Sequence, residues 1–347
     1  MIFLVVQILQ ILIGSYTDKN AGLEFYLVDV QQNKIQKTYQ IKQENASFFC
    51  FSKSKEYLFV VSEKGDQNSS LSAYKRFPNG KYGLINSFPT LGNDPCYVTY
   101  REASQTVYVA NYSGGSVSVF DFSKNSLKPI KQLLVYKGKS INQARQEAPH
   151  AHKVVLSPDN NYLFVTDLGS DRVYQHRILK DGKLWPNFKS YHLNPGSGPR
   201  HLTFHPNGKF AYLLNELSGT VEVFLYKNEQ LERIQSIVSD DSNAASKASA
   251  HIEVSPDWNW LVCSNRISKD ELVVFKILPT GQLILKNHFP VAKKPRFFTF
   301  DKSGKFLFVA SQDENKVQLY SFDAKTGNIT PKGLEISVKK PVVLGEI

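Results

Sequence analysis

ILIGS (11–15), LFVVS (58–62), VYVAN (107–111), LFVTD (163–167), AYLLN (211–215), WLVCSN (260–265) and FLFVAS (306–311) are seven apolar runs that each end in a small polar residue. Their last residues, Ser15, Ser62, Asn111, Asp167, Asn215, Asn265 and Ser311, stand 47, 49, 56, 48, 50 and 46 positions apart. Seven copies of a period near ~49 residues account for essentially the whole 347-residue chain. Repeats of this size define the architecture before any single motif does.

The segments around each run share one grammar. A strand-like stretch precedes it (PCYVTY, AHKVVL, PRHLTF, AHIEVS, PRFFTF), and a turn such as SPDNN, HPNGK, SPDWN or DKSGK leads into it. A third stretch follows (SVSVFDF, RVYQHRI, TVEVFLY, ELVVFKI, KVQLYSF), then DGKL, TGQL or TGNI and a more variable fourth. β-Branched or alternating runs of this length, bounded by Gly, Asn, Asp and Pro, read as antiparallel strands. Four strands per period make one propeller blade, so the expected fold is an all-β, seven-bladed β-propeller occupying residues 1–347 as a single domain. KKPVVLGEI at 339–347 matches KKPRFFTF at 293–300. Val342–Ile347 is therefore expected to form the innermost strand of a blade completed by the N-terminus, which closes the ring. There is no Trp-Asp signature at the strand ends.

Composition narrows the function. The chain is 41% hydrophobic and 21% charged, with 42 Lys plus Arg against 31 Asp plus Glu, a net charge of +11. The basic residues are scattered, with no basic helix or tail, so the excess points to an anionic small molecule rather than to nucleic acid. Cys50, Cys96 and Cys263 are too few for a disulfide framework and lack metal-ligand spacing. No cofactor or metal is expected, and a reducing, cytoplasmic setting is the default. The apolar start MIFLVVQILQILIGSYT is interrupted by Gln7 and Gln10 and carries no early Lys or Arg. It is too short for a membrane span and poor as a secretory signal. Gln10–Tyr16 is read as a buried strand, with residues 1–9 an extension or weak signal-like segment.

In each blade the start of the first strand and the end of the second lie at one end of the sheet. Two rings of residues should therefore surround one mouth of the channel. The first reads Ser47, Cys96, His152, Arg200, Ala250, Arg296 and Val342; the second reads Tyr16, Glu63, Tyr112, Leu168, Glu216, Arg266 and Gln312. Structural residues recur between repeats, so His152, Arg200, Arg296, Glu216 and Arg266 stand out as functional. Three Arg about one axis would repel one another unless Glu63, Glu216 or an anionic ligand compensated them. His150 shares the strand parity of His152. The longest interval places SINQARQEAPH (140–150) near the mouth. Asn111, Asp167, Asn215 and Asn265 are a weaker possibility, an oxygen ring for a cation.

The segments GSYT (14–17), VANYSGGSVSVF (109–120), QEAPHAHKVVLSPD (146–159), VTDLGSDRV (165–173), GSGPRHLTFHPNGK (196–209), LNELSGTVEVF (214–224) and SNR (264–266) carry a resemblance. The chain resembles the seven-bladed propeller lactonases, a family of bacterial-type 6-phosphogluconolactonases and fungal carboxy-cis,cis-muconate lactonising enzymes. The resemblance implies a catalytic set of His152, Arg200, Glu216 and Arg266 in the channel mouth, with His150 beside it. Substrate contacts are expected from His150, Arg296, Glu63, Tyr112 and His201, with Lys293 and Lys294 near the anionic group. Family members usually carry Gly where Ile267 stands here.

The expected activity is hydrolysis of 6-phospho-D-glucono-1,5-lactone to 6-phosphogluconate, a step of the oxidative pentose phosphate route. His152 or Glu216 would act as general base and the Arg residues would stabilise the oxyanion. There is no G-x-S-x-G elbow to supply a Ser nucleophile. The alternatives are lactonisation of a carboxylated muconate and a non-catalytic interaction platform. No nucleic-acid or membrane partner is expected, and the sequence leaves the oligomeric state open.

Overall fold

A computed structural model describes residues 8–18 and 21–347. The sequence expectation for residues 1–9 therefore lies largely outside the described residues. Among the described residues there are seven sheets of four antiparallel strands and one three-residue 3₁₀ turn, Glu102–Ser104. No helix in this set is long and apolar enough to cross a membrane.

Blade 1 joins the chain ends: Pro341–Glu346 is innermost, followed by Ile8–Ser15, Gly22–Asp29 and Lys34–Lys42. Blades 2 to 7 each run outward in chain order, with inner strands Ala46–Phe51, Pro95–Arg101, Ala151–Leu156, Pro199–Phe204, Ala248–Val254 and Pro295–Phe300. Each inner strand packs against the next, and Pro341–Glu346 packs against both Pro295–Phe300 and Ala46–Phe51, which closes the ring. The N-terminal strand begins two residues earlier than the sequence reading placed it, and the closing strand begins one residue earlier. The latter shift arises because Pro341 already pairs with Ser15.

The seven apolar runs are second strands, covered on both faces by neighbouring blades. Thr106–Asn111 and Phe210–Asn215 are buried along their whole length. Fourth strands such as Lys34–Lys42 lie at the rim and are largely exposed. The recurring turn before each second strand has a local cause. Ser52, Ser157 and Ser255 Oγ accept the backbone N–H five residues on (Tyr57 3.0 Å, Tyr162 2.9 Å, Trp260 3.0 Å), and Asp301 accepts that of Phe306 in the same way. All three cysteines are free thiols.

Candidate active site

The first ring is produced by a β-bulge. At the start of each inner strand the register with the second strand slips, between Ala46 and Phe48, Pro95 and Tyr97, Ala151 and Lys153, Pro199 and His201, Ser249 and Ile252, Pro295 and Phe297, and Pro341 and Val343. The unpaired residues are Ser47, Cys96, His152, Arg200, Ala250 with His251, Arg296 and Val342. A bulge leaves one residue out of the ladder and re-aims its side chain, here toward the channel mouth.

The second ring is tied just above it. The backbone N–H of Tyr16, Glu63, Tyr112, Leu168, Glu216 and Gln312 donates to the carbonyl of Lys340, Asn45, Asp94, His150, Gly198 and Lys294, at 2.7–3.1 Å. Five of these acceptor residues, all but His150, have positive φ between 43° and 64°, a conformation that suits Asn45, Asp94 and Gly198 and that Lys294 and Lys340 also adopt. A Cβ added at Gly198 would lie 2.5 Å from Leu217 Cγ.

Seven of the nine predicted site residues meet around one cavity of about 400 Å³: Glu63, Tyr112, His152, Arg200, Glu216, Arg266 and Arg296, joined by Tyr16, Cys96, Arg145, Ala248 and Ile267. Glu216 is its electrostatic centre. Its Oε1 accepts from Arg145 Nη2 at 2.8 Å, and its Oε2 accepts from Arg200 Nε at 2.8 Å and lies 3.3 Å from Arg266 Nη2. Burial raises the carboxyl's pKa, but the guanidiniums of Arg266, Arg200 and Arg145 outweigh burial and hold it well below the usual range. Both Glu216 oxygens are thus committed to guanidiniums, and the carboxylate holds three cations together. Burial, with Arg200 and Arg296 nearby, pulls Arg266 down to about 9 despite Glu216, so it remains cationic at neutral pH.

A second cluster faces the first. Arg296 Nη2 donates to Tyr16 Oη at 2.7 Å and its guanidinium lies over the Tyr16 ring, while Tyr16 donates to Glu63 Oε1 at 2.8 Å. Glu63 Oε2 is buried without a hydrogen-bond partner among the described residues. Burial raises the Glu63 carboxyl, with Arg296 opposing. Formally, the four guanidiniums and two carboxylates lining the cavity leave two positive charges.

His152 is buried and neutral. Burial and then Arg200 hold its imidazole well below the usual histidine range. Its Nδ1 lies 4.0 Å from Cys96 Sγ, and Nε2 has no hydrogen bond to the described residues. The Cys96 thiol contacts the His152 carbonyl at 3.2 Å, and burial pushes its pKa far up, so it is no nucleophile.

The two remaining predicted residues lie behind this surface. His150 stacks on Tyr112, ring centroids 4.5 Å apart, with Nδ1 3.2 Å from the Tyr112 carbonyl and Nε2 3.1 Å from Glu147. It supports the Tyr112 ring from behind. His201 belongs to the floor, where Phe48, Tyr97, His201, His251 and Phe297 form a closed circle of rings with successive centroids 3.9–5.8 Å apart. This circle plugs the channel. Arg200 Nη1 is 3.0 Å from His201 Nε2, and His201 Nδ1 is 3.0 Å from His251 Nδ1. Because Arg can only donate, His201 Nε2 is the acceptor, its proton sits on Nδ1, and that proton is donated to His251. Arg200 Nη1 also donates to the Ala250 carbonyl, so the floor sets the guanidinium's orientation.

Some expectations are not met. Asp167 and Asn265 spend side-chain oxygens inside their blades, on Ser170 and the His150 N–H and on Ser249, while Asn111 and Asn215 are held there through Nδ2, by Ser116 and Ser118 and by Thr220, and none of the four lines the mouth cavity. They form no axial oxygen ring. Lys294 pairs with Asp313 at 3.2 Å and does not line the cavity, nor does Lys293. The described residues hold one cluster of metal-ligating types, Asp241, Glu271 and His288, away from the mouth, and the Lys269 ammonium already occupies Asp241. Arg145 was not singled out from the sequence. Its signal was the insertion that carries it, since the longest repeat interval is the one that folds over the mouth.

Fold and mouth together define a closed seven-bladed propeller with a cation-rich axial pocket above an aromatic plug. The chain belongs to the family described as lactonase, 7-bladed beta-propeller, which matches residues 10–345. It is 32% identical over 338 residues to the 6-phosphogluconolactonase of Formosa agariphila, covering 94% of this chain and 96% of that one. It is 31% identical to the 6-phosphogluconolactonase of Bacillus subtilis, covering 95% and 96%. Among solved structures, the periplasmic gluconolactonase PpgL of Pseudomonas aeruginosa superposes with a TM-score of 0.91 at 30% identity, covering 98% of this chain and 99% of that one.

Proposed function

We propose that the protein hydrolyses 6-phospho-D-glucono-1,5-lactone to 6-phosphogluconate in the mouth of the propeller. The observation that carries the reading is the excess of two positive charges in a pocket whose buried histidine is neutral. A phosphate dianion would neutralise that excess, and the similarity to two 6-phosphogluconolactonases supports the same substrate class.

His152 is the general base: its imidazole is unprotonated at neutral pH and its Nε2 is open to a water in the pocket. That water attacks the lactone carbonyl carbon as Nε2 takes its proton. Arg200, held by Glu216 and the His201 floor, and Arg266 donate to the oxygen that becomes negative as the tetrahedral intermediate forms. Collapse breaks the ring C–O bond, and the proton on His152 goes to the leaving alkoxide. Arg296 and Arg145 supply the remaining positive charge for the phosphate, and Glu63 Oε2 is free to accept a sugar hydroxyl. A lactone is activated toward water, so one base and two cationic donors suffice.

The test is turnover of freshly generated 6-phosphogluconolactone, coupled to 6-phosphogluconate dehydrogenase and corrected for spontaneous opening. Rapid wild-type turnover, lost in His152→Ala and Arg200→Ala, is expected. A wild-type rate equal to background would reject the assignment. The three free thiols favour a cytoplasmic location, which cell fractionation would test.

A further inference from the structure

Ile267 combines two features that each disfavour the folded state, and both sit on the rim of the mouth. Ser268 N donates to the Arg266 carbonyl at 2.9 Å, closing a three-residue turn around Ile267, whose φ is +73°. This is the positive-φ form of the γ-turn, rare and strained. Among the described residues Ile267 is the one β-branched side chain with positive φ, a true outlier for that residue type. The side chain is also 65% exposed and lines a cavity otherwise dominated by guanidiniums, carboxylates and aromatic hydroxyls. A glycine would remove both the strain and the exposed apolar surface.

The turn is not loose. Ser268 Oγ donates to the buried Asp240 carboxylate, Lys247 Nζ donates to the Asp240 carbonyl at 2.6 Å, and Arg266 Nε donates to the Ala248 carbonyl at 3.1 Å. Residues on both sides of Ile267 are therefore anchored, and the strained backbone holds its side chain at the cavity beside Arg266. Strain that persists because its surroundings over-determine it belongs to function more often than to folding.

We propose that Ile267 is a specificity-determining residue, an apolar wall that packs on the C–H face of a closed sugar ring while the arginines hold the anionic group. An open-chain hydroxy acid offers no such compact face, so the contact favours the lactone over its hydrolysis product. The inference rests on the lactonase reading above.

The experiment compares wild type, Ile267→Gly and Ile267→Val in the coupled lactone assay, with inorganic phosphate as a competitive inhibitor and thermal melting in parallel. Ile267→Gly should raise KM for the phosphorylated lactone about five- to tenfold with kcat within about twofold. Its melting temperature should stay level or rise, because the strain is relieved. Inhibition by inorganic phosphate, which needs only the guanidiniums, should change by less than about twofold, and Ile267→Val should keep KM near wild type. A stability gain with unchanged KM would reduce Ile267 to a strained loop residue and overturn the proposal. Weakened phosphate inhibition in step with KM would also overturn it, since that pattern reports a displaced Arg266. Absence of wild-type turnover would sink the lactonase reading and this inference together, whereas turnover with equal KM in wild type and Ile267→Gly would sink this inference alone.

Discussion

Replacing Glu216 by Gln keeps the side chain's size and removes the charge that three guanidiniums share. Arg145 and Arg200 each sit 2.8 Å from a carboxylate oxygen and Arg266 sits 3.3 Å away. An amide has one acceptor oxygen, and its NH₂ would face a guanidinium that can only donate. Removing one partner from a buried charge cluster costs about 3–5 kcal/mol, because the remaining charges stay buried and uncompensated. Arg145 is 39% exposed, so most of the loss comes from Arg200 and Arg266. At roughly 2.1 cal/mol/K of unfolding entropy per residue, about 3 kcal/mol in a chain of 347 residues lowers the melting temperature by about 4 °C.

The pH dependence has a definite sign. The folded-state pKa of Glu216 lies below its unfolded value of about 4.3, so its contribution is complete above that value and is lost as the pH falls through the folded pKa. The gap between wild type and Glu216→Gln should therefore be constant from pH 6 to 8 and narrow only in acid. Inorganic phosphate should stabilise the variant more than wild type, because the variant's mouth carries one further uncompensated positive charge. Calorimetry across pH 4–8 with and without phosphate measures all three. A loss below about 1 kcal/mol, or a gap that widens on acidification, would refute the charge-cluster argument.

Because burial and Arg200 hold His152 unprotonated well below its ordinary range, kcat should stay flat from pH 8 down to 6, with kcat/KM falling only as the substrate phosphate takes up a proton near pH ~6, and His152→Gln should lower kcat by about 10²- to 10⁴-fold; a wild-type inflection in kcat between pH 6 and 7 would count against His152 as the base. Arg145→Ala should raise KM about tenfold with kcat and melting temperature nearly unchanged, since the side chain is half in solvent and reaches the site from a loop; steady-state kinetics and a melt decide it. Gly198→Ala should destabilise by about 2 kcal/mol, because its φ of +64° and the approach of Leu217 leave no room for a Cβ; urea unfolding reads this directly.

Much of this molecule was legible along the chain. The blades announce themselves because a strand sandwiched between neighbouring blades must be apolar throughout, and that requirement recurs wherever the fold repeats. Even the ring memberships of His152, Arg200, Glu216, Arg266 and Arg296 followed from aligning the turns. The fourth strands were less distinct, since at the rim little beyond alternation constrains them.

Local sequence determined which ring positions face the mouth, because strand periodicity and turn chemistry act over a few residues, but not that Arg145 joins them or that His150 and His201 lie behind. Tertiary structure decided what those residues do there. The meeting of Arg145 with Glu216 across 71 positions, the setting of His150 behind Tyr112 and the circle of rings from Phe48 to Phe297 exist only once seven blades close. Closure brings charges from distant repeats within about 3 Å, where Coulomb energy and desolvation are largest. Those terms make Glu216 an anchor, leave His152 neutral and orient Arg200, and they have no counterpart in the pattern of any one repeat.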